Sequence, residues 1–403
     1  MSAPRILHVS ESWRPRLSGY TTRGWALVET QRREGIARPS VLVTSRQATY
    51  GFETAEAPEG VHLSIAPVSP REGFLRRVRS FYVDAGALRR EIVREARETS
   101  AEAIHVHWGS GMGRAAAQAA RTCGLPLVAE VRFDLAGAVM TETVRREVPA
   151  LERALRRRFE AHVPGAAAVV AASDTLGALV RRTFPETDGT LWVVPNGVDA
   201  ARFAPPDPED REALRQSLGV DNAFVVGTTS NMLRYEGLDA LVRAARRVSG
   251  VHLLFVGDGT QREALAGLAD ELGVAATFTG RVPFGDVPRY LGAMDAFAVP
   301  RQDATITRYA APIKAVEAMG VGLPVVGSAV GDVPELLADG RGALVPPGDV
   351  DALAEALRAL PSTGRAMGER ARDWISREMT WGAVCEPYRE VYAHALAHRS
   401  PVT

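Results

Sequence analysis

RILHVSESWRPRLSGYTTRGWALVETQRREGIARPSVLVT, residues Arg5–Thr44, sets the reading of the whole chain. It opens on a short apolar run, Arg5–Ser10, and passes through a polar loop containing proline and glycine. Gly24–Gly35 then has helical spacing and stops at a glycine, and Pro39–Thr44 is a second apolar run. Runs that stay apolar without alternating belong to strands covered on both faces. Two of them joined by a helix-length segment imply parallel strands.

The same alternation continues through Val61–Ala66, Ala103–His107, Leu125–Val131, Ala166–Ala172 and Leu191–Val194. Pro195-Asn196-Gly197 is a turn signal, followed by the Pro- and acid-rich APPDPEDRE, and it marks a domain boundary. A second series then begins with Ala223–Thr229, His252–Val256, Ala276–Thr279, Ala296–Val299, Leu323–Gly327 and Ala343–Val345. Leu238–Val248 and Gln261–Leu272 are helical segments within it, and Pro312–Gly320 reads as another. The expected fold class is α/β, with two doubly wound Rossmann-like domains at 1–195 and 196–380, and a final amphipathic helix in 381–403. Such sheets bind ligands beyond the carboxyl ends of their strands, so the expected site is a cleft between the domains.

Composition narrows the function. The 403 residues are 46% hydrophobic and 24% charged, the make-up of an ordinary globular protein. A formal net charge of zero argues against a general nucleic-acid binder. Cys123 and Cys385 lie far apart, so neither a disulfide framework nor a zinc site is expected. MSAPRILHVSES lacks the pattern of a signal peptide, and no apolar run is long enough to span a membrane. A cytoplasmic protein is the expectation. There is no GxGxxG, no P-loop and no Gly-x-Ser-x-Gly elbow.

Of the 48 Lys and Arg residues, one is a lysine, Lys314. It lies three positions before Glu317, on the same face of the expected helix. Lysine supplies a compact point charge where arginine supplies a planar fork, so its single use here suggests a chemical task. His105 and His107 sit at a strand end and are expected on opposite faces, His105 in the core or just behind the site and His107 a candidate for the cleft. Glu130, Arg132 and Asp134 follow another strand, either positioning a substrate or forming ion pairs with nearby arginines. Arg71–Arg97 mixes arginines with Phe74, Leu75, Phe81 and Tyr82, a composition suited either to an anionic lipid surface or to a solvated face.

PNGVDAARF, the segment ending in Tyr-Glu-Gly-Leu-Asp, LLFVGDG, FTGRVP, API-K-AVEAMGVGLPVVGSAVGDVPEL and GALVPPGD occur in one order over residues 190–350. As a set they resemble the family-4 glycosyltransferases, retaining enzymes of the GT-B fold that use nucleotide-diphosphate sugars. ILHVSESWRPRLSGYTTR, AIHVHW and PLVAEVRFD are similar more loosely, in the manner of the exopolysaccharide-biosynthesis subgroup. The resemblance implies two domains facing across a cleft, with the last helix crossing back to the first domain. It implies sugar transfer from a UDP- or GDP-sugar to a glycan, lipid-linked or small-molecule hydroxyl acceptor, with no cofactor and no bound metal. Cell-surface glycan or secondary-metabolite biosynthesis is the implied setting, with a peripheral position at the inner face of the membrane through Arg71–Arg97.

Departing phosphate accumulates negative charge, so cations and backbone N–H groups belong beside it. On the resemblance Lys314 takes that place, helped by Arg308 and Arg234 and by the helix N-terminus at Pro312-Ile313. Gly19 lets the first domain's backbone approach the diphosphate, Glu317 binds ribose hydroxyls, and Arg281-Val282 hold the base. Gly257, Tyr309 and Asn231 line the donor site, and Glu130, Arg132 and His107 are the acceptor-side candidates. The chain departs from the family where Tyr309 replaces a glutamate and where Asn231 and Glu236 replace an arginine and a lysine. Those losses keep open an inactive sugar-nucleotide-binding scaffold, and a GT-B sugar-nucleotide epimerase or hydrolase, releasing nucleotide without an acceptor, is the other alternative class.

Overall fold

A computed structural model describes residues 2–16, 18–68, 84–108, 110–139 and 148–398. The chain divides into two compact units, Met1–Pro195 with Val384–Thr403, and Asn196–Ala383. The first unit carries strands β1 (Arg5–Ser10), β2 (Arg38–Val43), β3 (His62–Ile65), β4 (Ala103–His107), β5 (Leu127–Val131), β6 (Ala168–Ala171) and β7 (Leu191–Val193). They form one parallel sheet in the order β3-β2-β1-β4-β5-β6-β7. The order reverses between β1 and β4, which opens a crevice at their carboxyl ends. Ile6, Leu7, Val41, Leu42, Ile104 and Val106 are fully buried in this sheet, each worth roughly 1.5–3 kcal/mol in removed apolar surface.

Helix α1 (Gly19–Arg33) starts five residues before the sequence pattern suggests. Ser18 adopts an extended conformation and accepts from the Thr21 N–H, while the Thr21 hydroxyl accepts from the Ser18 N–H. This reciprocal cap nucleates a helix on residues that otherwise read as loop. On the other side of β4 lie α2 (Ala85–Glu98) and α3 (Ser110–Cys123).

The second unit repeats the plan with β8 (Phe224–Ser230), β9 (Val251–Gly257), β10 (Ala276–Gly280), β11 (Ala296–Val299), β12 (Val325–Ser328) and β13 (Gly342–Val345). Its parallel order is β10-β9-β8-β11-β12-β13, with the reversal between β8 and β11. Successive strand residues feed opposite faces. Val225, Leu254, Val256, Phe297 and Val325 build one core, and Val226, Leu253, Phe255, Ala298 and Val326 build the other. Helices α4 (Leu238–Ala245), α5 (Ile313–Val321) and the 29-residue α6 (Val350–Glu378) cover the sheet. α6 runs through Pro361, a residue that would stop a helix in a sequence reading, because a buried stripe including Leu353, Leu357, Leu360, Gly364, Ala371 and Ile375 holds it down.

The C-terminal segment expected as one helix is two, Trp381–Cys385 and α7 (Tyr388–Ala397). Pro387 precedes α7, and its ring cannot supply the N–H that a continuous helix would need. α7 packs on β4, β5 and β6 of the first unit.

Candidate functional site

In the second unit, Ser230 ends β8 and the chain enters a tight loop in which Met232 takes a left-handed φ of 43°. The Ser230 hydroxyl accepts from the Met232 N–H at 2.8 Å and donates to Glu236 Oε2 at 3.3 Å. Glu236 sits in a three-residue turn, Arg234–Glu236, that packs on the segment following β11. Gln302 N–H donates to the Tyr235 carbonyl at 3.0 Å. Gly237 is left-handed at φ 67°, and a Cβ there would lie 1.9 Å from the Pro300 carbonyl oxygen. Only glycine lets the two strand ends approach so closely. Gly257, at the end of β9, is similarly tight: its φ is 126° and a Cβ would meet the Ser230 carbonyl at 2.0 Å.

Lys314, in the first turn of α5, donates to Glu236 Oε2. The two side chains are 15% and 10% exposed, so the ion pair is largely out of water. Burial lowers the Lys314 ammonium from its ordinary value, and Glu236 partly offsets this. Burial also pushes the Glu236 carboxyl up, but Lys314 and Arg301 outweigh it and hold the group below the usual carboxylate range. Glu317, one turn on, is buried and pushed up to about 8 by that burial, with Arg202 and Lys314 opposing. Pro312 caps α5 with no side-chain hydrogen bond; in the first turn the Ile313 N–H donates to the Ala311 carbonyl at 3.1 Å and the Ala315 N–H to the Pro312 carbonyl at 3.0 Å.

The remaining sequence candidates of this unit scatter more. Arg308 pairs with Asp303 at 2.6 Å near the surface, and Arg234, Asn231 and Arg281 are exposed. Val282 packs at the margin of the apolar core. Pro312 and Ile313 directly precede Lys314, and Tyr309 lies five positions before it. Sequence reasoning missed Arg301, which is 6% exposed and two residues beyond β11. Its place just past a carboxyl end beside the sheet reversal was the available signal.

The first unit holds a second polar cluster at the carboxyl ends of β1, β4 and β5. Glu130 is fully buried, as are His8, His105 and His107. Glu130 Oε1 accepts from Arg23 Nε at 2.8 Å and Arg132 Nε at 2.9 Å, and Oε2 accepts from the Tyr388 hydroxyl at 2.9 Å. Burial raises the Glu130 carboxyl, but Arg132 and Arg23 outweigh it and leave it well below its ordinary value. Arg132 reaches His107 Nδ1 at 2.6 Å, and His107 Nε2 lies 2.8 Å from His8 Nδ1. An N–H from Arg132 onto Nδ1 requires the other ring nitrogen of neutral His107 to carry the proton toward His8. His105 Nδ1 lies 2.9 Å from the Tyr392 hydroxyl, which donates to Gln31 Oε1 at 3.0 Å. Burial depresses all three histidines.

Two expectations change here. His105 and His107 share one face, with ring centroids 4.3 Å apart, because residues two apart in a strand point the same way. Glu130, Arg132 and His107 form a buried, mutually paired group, matching the ion-pair alternative for Glu130 and Arg132 and turning His107 inward. Asp134 is likewise buried and paired with Arg156. His8, His105 and His107 are the group among the described residues that could offer a metal three ligand atoms, all within 4.8 Å. His8 Nδ1, His105 Nδ1 and both nitrogens of His107 are engaged with one another, with Arg132 and with Tyr392, His105 Nε2 lies 3.0 Å from Glu130 Oε2, and His8 Nε2 has no hydrogen-bond partner among the described residues; Arg23 and Arg132 already supply two positive charges. That donor set does not suit a cation. Gly19 is the first residue of α1. Of the arginine-rich stretch read as a lipid-facing candidate, positions 71–83 lie outside the described residues; within α2, Arg94 is engaged by Glu91, Glu95 and Glu98.

Comparison with known proteins adds an independent line. The family profile described as Glycosyltransferase Family 4 matches residues 19–202, and that described as Glycosyl transferases group 1 matches residues 223–362. A GDP-mannose-dependent monoacylated alpha-(1-6)-phosphatidylinositol monomannoside mannosyltransferase of Corynebacterium glutamicum is 33% identical over 202 residues, 48% of this chain and 53% of the relative. An alpha-maltose-1-phosphate synthase of Mycolicibacterium smegmatis is 31% identical over 256 residues, 58% of this chain and 65% of the relative. The matched region spans about half the length of the mannosyltransferase relatives. Among solved structures, sucrose-phosphate synthase from Thermosynechococcus elongatus aligns with a TM-score of 0.79 at 19% identity, covering 98% of this chain and 99% of that one. Anabaena HepE in complex with UDP aligns at 0.69 and 21% identity, covering 96% and 99%. At these identities the structural likeness establishes the fold.

Proposed function

Because this chain belongs to the family-4 glycosyltransferases, we propose that it transfers a sugar from a nucleoside-diphosphate sugar to a hydroxyl acceptor, with retention at the anomeric carbon. The observation that carries the reading is the buried Lys314 in the first turn of α5, with Glu317 one turn behind it, beside the reversal of the second unit's sheet. A helix N-terminus and a buried ammonium together favour a diphosphate and its growing charge. Glu317 supplies the carboxyl that reads ribose hydroxyls.

The donor is a GDP- or UDP-sugar. The mannosyltransferase relatives are named for GDP-mannose, which places it first among candidates. Their phosphatidylinositol mannoside acceptors support a glycolipid or other lipid-linked acceptor for this chain. Among the described residues no helix is long and apolar enough to cross a membrane. In this reading the chain meets such an acceptor by peripheral attachment on the cytoplasmic side. Catalysis needs no bound metal in this reading, since Lys314 and the helix N-terminus supply the positive charge.

The test is nucleotide release from a panel of GDP- and UDP-sugars, with and without lipid-linked and soluble acceptors, and with and without EDTA. Release that requires an acceptor and survives EDTA supports the proposal. Acceptor-independent release would make the protein a hydrolase or epimerase, and binding without turnover across the panel would make it a scaffold.

A further inference from the structure

The carboxyl ends of β8 and β11 bring three charged side chains together in the second unit: Glu236, Arg301 and Lys314. Tyr235 accepts from the Gln302 N–H at 3.0 Å, and Gly237 lies against the Pro300 carbonyl, so the turn bearing Glu236 and the segment bearing Arg301 are fastened to each other. Lys314 donates to Glu236, and Ser230 donates to the same carboxylate oxygen. Arg301 is 6% exposed and donates through Nη1 to the Ala310 carbonyl at 2.6 Å, while its Nε is buried without a hydrogen-bond partner among the described residues. An unsatisfied buried guanidinium N–H is costly unless something absent from the free protein takes it. Two cations and one carboxylate leave a net positive charge at the sheet reversal, where an anion would neutralise it.

We propose that Arg301 and Lys314 together form the diphosphate seat, and that Glu236 is a built-in counter-ion that holds Lys314 while the seat is empty and yields it to the diphosphate. This rests on the reading of the second unit as the donor-binding unit, and it adds a residue and a competition to it. Arg301 replaces the cations lost at Asn231 and Glu236, from a different strand end. Glu236 is therefore an antagonist of donor binding. It keeps a buried ammonium paired in the free protein and sets a threshold that only a multiply charged anion crosses.

The experiment is calorimetric titration of the full chain with UDP, GDP, inorganic pyrophosphate, and the nucleosides uridine and guanosine. Arg301→Gln should weaken whichever diphosphate the wild type binds, and pyrophosphate, by about 30-fold or more. Arg301→Lys, which keeps the charge, should recover most of that affinity. Glu236→Gln should tighten pyrophosphate and diphosphate binding, roughly tenfold. Nucleoside affinity, unchanged in all three, shows that the unit still folds. Unaltered pyrophosphate binding in Arg301→Gln overturns the role of Arg301, and equal or weaker binding in Glu236→Gln overturns the competition. Pyrophosphate binding that depends on Arg301, in a protein that turns over no sugar nucleotide, would leave the seat standing and refute the transferase reading. Normal transferase turnover, with pyrophosphate binding unaltered in Arg301→Gln, would do the reverse.

Discussion

Tyr388 donates its hydroxyl proton to Glu130 Oε2 over 2.9 Å, joining residues 258 positions apart. The same carboxylate holds Arg23 and Arg132, so one acidic group ties α1, β5 and α7 together. Tyr388→Phe leaves both arginines paired and should cost about 1–2 kcal/mol. Glu130→Ala strands two buried guanidinium groups and should cost about 3–5 kcal/mol. Urea unfolding followed by far-UV circular dichroism measures both. Equal losses would mean that the hydroxyl, and not the carboxylate, organises the cluster.

His162 predicts the acid limb of stability. It is buried, neither ring nitrogen has a hydrogen-bond partner among the described residues, and burial pulls it down to about 4. Above the unfolded value near 6.5 both states are neutral at this ring. Between about 6.5 and 4 the unfolded chain takes the proton and the folded chain refuses it, so stability falls as pH falls, by about 1.4 kcal/mol per pH unit. Below 4 this contribution levels off. His162→Leu should flatten the limb between pH 6.5 and 5, read as melting temperature against pH. An unchanged slope would assign the limb to His8, His105 and His107, which are depressed in the same direction.

Glu317 gives the proposed donor site its own pH dependence. Its carboxyl is pushed up to about 8 and is protonated at neutral pH in the free protein. Ribose hydroxyls donate best to the ionised form, so binding must release that proton below pH 8. Donor KM should fall as pH rises from 7 toward 8, approaching tenfold per unit, and flatten above it. Glu317→Gln should show a KM independent of pH over that range. A wild-type KM that is flat between pH 7 and 9 counts against ribose reading by an ionised Glu317.

Lys314→Ala should lower turnover by about 100-fold or more. Lys314→Arg should fail to restore it, because the wider guanidinium must fit a seat already shared with Glu236 and Ser230. Steady-state rates with the preferred donor decide this, and near-normal turnover in the alanine variant removes Lys314 from the chemistry.

All thirteen described strands could be read from apolar runs bounded by turn residues, since strands of a doubly covered parallel sheet carry their signal locally. The start of α1 could not, because it depends on the Ser18–Thr21 cap and not on periodicity. α6 was hidden by Pro361. At the proposed donor site, the rarity of lysine drew attention to Lys314 and the spacing set Glu317 one helical turn from it, while their roles came from the resemblance to the family-4 glycosyltransferases. The Lys314–Glu236 pair was not: its partners are 78 residues apart and meet only because two strand ends are adjacent in the sheet. For Arg301 the available signal was its place just past the end of β11, and the orphaned Nε singled it out. For His105 and His107 the information was present, and strand parity places them on one face.

The first unit is made from two pieces of chain with the whole second unit between them. Glu130, Arg23, Arg132 and the three histidines all lie within residues 1–195, which are synthesised first. The hydroxyls of Tyr388 and Tyr392 arrive only after nearly two hundred further residues, Asn196–Ala383, have been made. Until those residues are made, the polar centre of the first unit lacks two of its hydrogen-bonding hydroxyls. Loss of Val384–His398 would leave the second unit's chain whole and the first unit without the hydroxyls that close its polar centre.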